Sequence, residues 1–537
     1  MKKTLLLTVL VFCQTVLYAQ EDAWVYLVDK PNVTASIQNP ISILTQNAID
    51  RKNAHGIPID ERDVPVNEAY ITQLKTQSGI TVLAKSKWLN AVHVRGMESD
   101  ISALTTLEFV NYIDFADNNL DTSGRFSQQE DKFQMESTLV DFNYGDTQNQ
   151  VEMINIDALH NLDYTGDGIR IAVLDAGFPN VNTMGAFQRL RDNDDLVDGY
   201  DFVTRNSDVY AYTGNNHGTK VLSTMAAFIQ DQYVGTAPDA SYYLFRTEDA
   251  GSENPIEESY WVEAAERADS LGVHIINSSL GYTTFDNPNY SYTNNDMNGT
   301  TAFISRGATI AAEKGILVVN SAGNSGNNSW QIVGAPADAS GVFTIGGVDA
   351  DGNYAFFSSQ GSEIQPSQKP DVVARASGTF VVNENNIIVN NNGTSFSSPI
   401  IAGSLACLMQ ALPNLNIEQI KQYIRQSASQ YTSPDYFLGY GIPDFGLALN
   451  NALSVQEMDA ETMKIYPNPV QDELYLQLPT EFVFSDAMIF DITGTLILSK
   501  TISTSAETVN LSVLQSGMYI LRLHSEDGAE TFKFIKQ

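Results

Sequence analysis

"IRIAVLDAGF", residues 169–178, is a run apolar at almost every position that stops on Asp175, Ala176 and Gly177. A strand that is apolar on both faces must be covered on both, as in a parallel sheet held between two layers of helices. The neighbouring sequence repeats this theme. Helix-like "KVLSTMAAFIQ" leads to "SYYLFRT", helix-like "IEESYWVEAAERADSLG" to "VHIINSSLG", and helix-like "TAFISRGATIAAEKG" to "ILVVNSAGN" and "FTIGGVDA". Residues 151–455 therefore predict an α/β unit with a parallel sheet and helices on both faces. Ligands of such sheets bind beyond the carboxyl ends of the strands, and that is where chemistry should lie.

The flanks have a different texture. Residues 1–19 join Lys2 and Lys3 to an apolar run from Leu5 to Phe12 and end on Leu17-Tyr18-Ala19, which predicts a secretory signal peptide too short to span a membrane. An N-terminal core helix is the bland alternative. Residues 20–126 form a second segment. Within it, 66–116 predict a ferredoxin-like β-α-β-β-α-β unit, from helix-like ends around the alternating "ITVLAKSKWLNAVHV". The polar stretch 127–150 predicts a linker. Residues 460–537 alternate in short strands with turn signals such as Asp491–Gly494, and predict a small antiparallel β-sandwich.

Composition narrows the functional classes. The chain has 537 residues, more than one core usually serves. Against 64 acidic residues stand 30 basic ones, a formal charge of −34, so nucleic acid is an unfavourable partner. No later stretch is apolar for about 18 consecutive residues, so no transmembrane segment is expected in the mature protein. Once Cys13 leaves with the signal peptide, Cys407 stands alone and no intrachain disulfide can form.

Four segments of the α/β unit bring chemically useful side chains to strand ends or helix starts. Asp175 follows the first strand; taken alone it reads as a turn residue. In "NNHGTKVLSTMAAF", His217 opens a helix. Of the other histidines, His55 lies in a polar stretch near Pro58 and His274 inside an apolar strand, where a satisfied core histidine is expected. His93, His160 and His524 have no special context. In "GILVVNSAGNSGN", Asn324 lies past the strand end, whereas Asn320 should stay within it. "NNGTSFSSPI", residues 391–400, offers Ser395, Ser397 and Ser398 before an apolar run, and on its own leans towards an ordinary helix start. Together the segments favour catalysis. A serine hydroxyl needs a histidine to take its proton and a carboxylate to hold that histidine, and a helix N-terminus suits a developing oxyanion. The order Asp, His, Ser is the order found in subtilisin.

The motifs "VLDAG", "NHGTKV", "AGNSG" and "NGTSFSSP", with "VGTAPDASYYLF" and "GYGIPDFGLAL", resemble the signatures of the subtilisin-like serine peptidases, the subtilases. The resemblance implies a secreted endopeptidase hydrolysing protein or peptide substrates. It implies Asp175, His217 and Ser395 as the triad, Asn324 as oxyanion donor, and packing or capping roles for Ser397 and Ser398. Ala176 departs from the pattern, since the family often has Thr or Ser after the aspartate. The resemblance also implies a specificity pocket edged by Ser279, Leu280 and Gly281 and by Ser321, Ala322 and Gly323. No cofactor is required for the chemistry. Structural calcium is common in the family, and "RDNDDLVDGYD" and "NNDMNG" are the candidate loops. The N-terminal segment resembles an inhibitory propeptide of subtilases. "YPNPVQDELYLQL", "FDITGTLI" and "LSVLQSGMYILRL" resemble the sorting domain of the type IX secretion system of Gram-negative bacteria, implying that export machinery as a partner and a secreted or surface-attached product. The competing reading from another class is a non-catalytic adhesin or scaffold built on the same fold.

Overall fold

The computed structural model describes residues 20–118, 120, 145–459, 464–477, 484–492, 494–502, 506–525 and 528–537. The expected signal peptide, and most of the expected linker, lie outside the described residues. The chain divides into two compact units, residues 1–449 and 450–537.

The N-terminal segment opens with strand β1 (Glu21–Leu27), followed by helix α1 (Gln46–Ala54), helix α2 (Glu68–Lys75), strands β2 (Thr81–Ser86) and β3 (Ala91–Gly96), helix α3 (Glu98–Ala103) and strand β4 (Val110–Phe115). The sheet order is β2-β3-β1-β4, with every pairing antiparallel. This corrects the expected span of 66–116, which holds only three of the four strands. The fourth, β1, lies next to the middle of the sheet but comes from about 40 residues earlier. It was hidden because "EDAWVYL" is short and its partners are far along the chain. Its alternation is nonetheless clear once paired. Ala23, Val25 and Leu27 join the core beneath α2 and α3, while Trp24 and Tyr26 point the other way, into the next layer.

That next layer belongs to the α/β unit. Its strands are β5 (Arg170–Asp175), β6 (Leu196–Asp201), β7 (Ser241–Arg246), β8 (Ile275–Ser278), β9 (Leu317–Ser321), β10 (Phe343–Val348) and β11 (Val372–Arg375). Its main helices are α4 (His217–Ala226), α5 (Ile256–Leu271), α6 (Phe303–Glu313) and α7 (Thr394–Ala411). The seven strands run parallel in the order β11-β10-β9-β8-β5-β7-β6. Five of the six residues of β5 are buried, as a strand covered on both faces requires. Connections from β5 run to one side and those from β8 to the other, so the switch point of the sheet lies between these two strands.

Helices α5 and α6 carry the N-terminal sheet. Trp24 stacks on Phe303 at 4.6 Å and donates its indole N–H to Ser259 Oγ at 2.9 Å. Glu266 is buried, and burial raises its pKa; an ionised carboxylate there needs donors. It has three: Ser86 Oγ at 2.6 Å, Trp88 N at 2.9 Å and Lys87 N at 3.0 Å. Asp269 accepts from Arg51 at 2.5 Å and Lys52 at 2.9 Å, and Lys314 reaches back to Asp60 at 2.8 Å and Asp63 at 2.7 Å.

The second unit holds two antiparallel sheets. One comprises Lys464–Tyr466, Glu473–Gln477 and Ala506–Asn510; the other comprises Phe484–Asp491, Leu496–Thr501, Gly517–Ser525 and Gly528–Lys536. Leu474, Val509, Ile489, Leu521 and Phe534 from the two sheets share one core. No helix among the described residues is long and apolar enough to cross a membrane.

Candidate active site

Asp175 ends β5 beside the switch point and is fully buried. Its Oδ1 accepts from Ala176 N at 2.7 Å and from His217 Nδ1 at 2.8 Å. Its Oδ2 is buried without a hydrogen-bond donor; Ala176, lacking a hydroxyl, has none to offer beyond its backbone. His217 opens α4, and its backbone N–H is held by Asn215 Oδ1 at 2.8 Å. A carboxylate can only accept, so Nδ1 is the donor of this bond and the carboxylate fixes the orientation of the ring. The histidine side chain keeps 12% of its surface exposed, and its ring sits 5.8 Å from that of Phe396.

Ser395 is the second residue of α7, at the positive end of an 18-residue helix. The residue before that helix is Gly393, at φ +139°, a conformation that side chains rarely adopt. A Cβ there would lie 3.6 Å from Asn324 Nδ2. Asn324 Oδ1 accepts from Thr394 N at 2.9 Å and Thr394 Oγ1 at 3.1 Å. Its oxygen is thereby tied to the start of α7, and its amide N–H₂ is the end left for the cleft. Gly323 N–H closes the same knot on Thr394 Oγ1 at 3.1 Å.

Two cavities meet here. A cleft of 1090 Å³ contains the segments 279–281 and 321–323, and a pocket of 280 Å³ lies on the His217 side. Ser395 and Asn324 line both. The segment edges are braced: Ser279 Oγ donates to Ser395 O at 2.8 Å, and Asn320 Nδ2 donates to Leu280 O at 2.9 Å and Ser321 O at 2.8 Å. Asn320 thus stays within its strand and outside the cavities. Ser397 and Ser398 are fully buried, bonded to Thr394 O and Asn277 Oδ1 at 3.0 Å each.

His274 Nδ1 accepts from Arg170 N at 3.0 Å, and burial beside Arg170 pushes its pKa down to about 3, so it is a neutral structural acceptor. Two residues escaped the sequence reading. His93 has a context after all: Nε2 lies 2.9 Å from Asp22 Oδ1, and Nδ1 lies 2.9 Å from Ser259 Oγ across the contact with α5. Asn391 lines the smaller pocket, and only its position four residues before Ser395 could have flagged it. The candidate calcium loops do not gather a carboxylate cage. Asp198 pairs with Arg267 and Asp201 with Arg246, at 2.8 and 2.9 Å, and Asp296 Oδ2 accepts from Thr293 N and Oγ1 at 2.7 Å each. Among the described residues no three or more His, Cys, Asp or Glu come together as metal ligands.

Comparison with known proteins gives three family matches. Residues 166–441 match the model of the subtilase family, 22–134 that of the peptidase S8 propeptide domain of Bacteroidota, and 464–537 that of the secretion system C-terminal sorting domain. Among curated relatives, subtilisin DY of Bacillus licheniformis is 29% identical over 289 residues, covering 53% of this chain and 93% of the relative. The thermostable alkaline protease of Halalkalibacterium halodurans is 31% identical over 299 residues, covering 56% and 72%. Among solved structures, the epidermin leader peptide processing serine protease of Staphylococcus aureus superposes with a TM-score of 0.53 at 17% identity, over 81% of this chain and 98% of that one, a likeness of fold.

Proposed function

Since the chain belongs to the subtilase family of serine peptidases, we propose that it is a secreted endopeptidase in which Asp175, His217 and Ser395 form the triad and Asn324 donates to the oxyanion. The observation that carries this reading is the 2.8 Å bond from His217 Nδ1 to Asp175, with His217, Asn324 and Ser395 lining one pocket. Ser395 Oγ attacks the scissile carbonyl carbon while its proton passes to His217 Nε2, and Asp175 stabilises the imidazolium that forms. The carbonyl oxygen gains charge and is met by Asn324 Nδ2 and the Ser395 backbone N–H at the start of α7. Collapse expels the amine, which takes the proton from His217, and water then releases the acyl group by the same steps. The segments 279–281 and 321–323 edge the subsite for the residue before the scissile bond, and glycines at both edges leave room for a large apolar side chain. No cofactor takes part.

The N-terminal segment acts as the enzyme's own inhibitor until it is cut away; its sheet docked on α5 and α6 supports this. The C-terminal sorting domain implies secretion or attachment at the cell surface, and we assign its export to the type IX machinery. Labelling with a serine-directed fluorophosphonate, alongside casein hydrolysis, tests the reading. Label and activity on the processed protein, both lost in Ser395→Ala, are expected. Properly processed protein that takes no label would leave an adhesin or scaffold as the better description.

A further inference from the structure

Arg246 ends strand β7, which lies between β5, ending on Asp175, and β6, ending on Asp201. In the sheet register Arg246 is the partner of Asp175 on one side and of Asp201 on the other. Partners in register project to the same face, so one cation lies between two carboxylates. The side chain is 2% exposed, and its ion pair goes to Asp201: Nη1 donates to Asp201 Oδ2 at 2.9 Å. Asp201 Oδ1 accepts from the backbone N–H groups of Val203 and Thr204, at 2.9 and 2.8 Å. Asp175 keeps His217 as its side-chain partner.

The rest of the guanidinium touches both segments that carry the acid and the imidazole. Its Nε donates to Ala176 O at 3.1 Å, fixing the peptide group that follows Asp175. Its flat face lies over the ring of Tyr212, 3.6 Å from the centroid, in the loop that leads to His217. The two segments also meet directly. A Cβ on Gly177 would lie 2.6 Å from Asn215 O and 3.2 Å from the Tyr212 ring, and a Cβ on Gly218 3.0 Å from Asp175 Cβ. With no spare room at that contact, a shift in either segment moves the bond between His217 and Asp175. A buried ion pair by itself gives little net stability, because desolvation offsets the attraction. What this one supplies is a rigid plane held in place, with a donor at its edge and an aromatic ring on its face.

We propose that Arg246 is a positioning residue for Asp175 and His217, clamping the backbone after the acid to the loop before the imidazole. It lines neither cavity, so it acts through Ala176 and Tyr212 and not on the substrate. Lysine cannot replace it, since an ammonium is a point charge with no plane to stack.

This inference rests on the triad reading, and kinetics on a chromogenic peptide separate the two. The full chain is expressed and allowed to process, and kcat is referred to active sites counted by exhaustive fluorophosphonate labelling. Arg246→Lys keeps a charge beside Asp201 and loses the plane. Its kcat should fall about 10²-fold, the scale of a misplacement of about 1 Å, with KM changed by no more than about 2-fold. Tyr212→Leu, in a half-buried loop position, should cost on the order of 10-fold in kcat, and Tyr212→Phe, which keeps the ring, should recover it. Because both variants break one clamp, the double variant should be no slower than Arg246→Lys alone. Wild-type kcat in Tyr212→Leu, a loss confined to KM, or losses that multiply in the double variant overturn the proposal and leave the triad standing. Where Arg246→Lys yields no processed protein, Tyr212→Leu against Tyr212→Phe decides alone. Processed wild-type protein that takes no label overturns both.

Discussion

Asp22, His93 and Ser259 repeat the residue types of Asp175, His217 and Ser395, with a similar separation of acid and imidazole. Asp22 lies 2.9 Å from His93 Nε2, and Ser259 Oγ lies 2.9 Å from His93 Nδ1. In the other set Asp175 lies 2.8 Å from His217, through Nδ1. The difference lies in what surrounds them. His93 is 1% exposed, Ser259 already accepts the Trp24 indole N–H, and Asp22 is also held by Arg95. Neither His93 nor Ser259 lines either cavity, whereas His217 and Ser395 share one. One set faces a cleft with an amide donor beside it. The other is sealed between two layers and serves as a contact. Acid, base and hydroxyl in line are therefore not enough, because access and an oxyanion donor decide which set can do chemistry.

The comparison can be broken most sharply at the two serines. Ser395→Ala should lower casein hydrolysis by about 10⁶-fold, a magnitude taken over from a subtilisin, a relative of this chain. Ser259→Ala should leave kcat of the processed protein at the wild-type value. A comparable loss at Ser259 would mean that the sealed set takes part in catalysis. Next in size, Asn324→Ala should cost about 10²–10³ in kcat with KM changed only a few-fold, again as in a subtilisin, since the amide donates mainly to the transition state. Kinetics on a chromogenic peptide check it. A larger kcat loss in Asn320→Ala would show that the donor had been misplaced.

The remaining effects concern the sealed side. Glu266→Ala removes the acceptor of three donors and should speed release of the cleaved N-terminal segment by about 50-fold, since three hydrogen bonds are lost at once. Ser259→Ala removes one neutral hydroxyl from the same contact and should speed it only about 5-fold. Size-exclusion chromatography of the processed protein over time measures both. An effect of Ser259→Ala exceeding that of Glu266→Ala would make the sealed histidine set the main holdfast.

The α/β sheet was legible because its strands are apolar throughout, a pattern that only double coverage explains. Asp175, His217, Asn324 and Ser395 stood out as candidates because each lies at a strand end or helix start, close to Gly, Ser or Asn. Strand β1 was not, because its partners β3 and β4 lie more than 60 residues further on. His93 and Ser259 were not, because each is ordinary in its own segment and they meet only when two layers pack. The acidic loop 191–201 read as a calcium candidate because Arg246 and Arg267, which take Asp201 and Asp198, come from β7 and α5. Pairing that depends on tertiary structure leaves little trace in a local window.

The crossed ion pairs between the N-terminal segment and the α/β unit have a consequence for where such a protein can work. Arg51, Lys52, Asp63, Asp269 and Lys314 keep at most 1% of their side-chain surface exposed. Dissolved ions weaken attraction between charges they can surround, over about 8 Å at physiological strength, and they cannot surround these. Brine and fresh water should therefore leave this lock equally closed. It is cutting of the chain, rather than a change in salinity, that would have to open it.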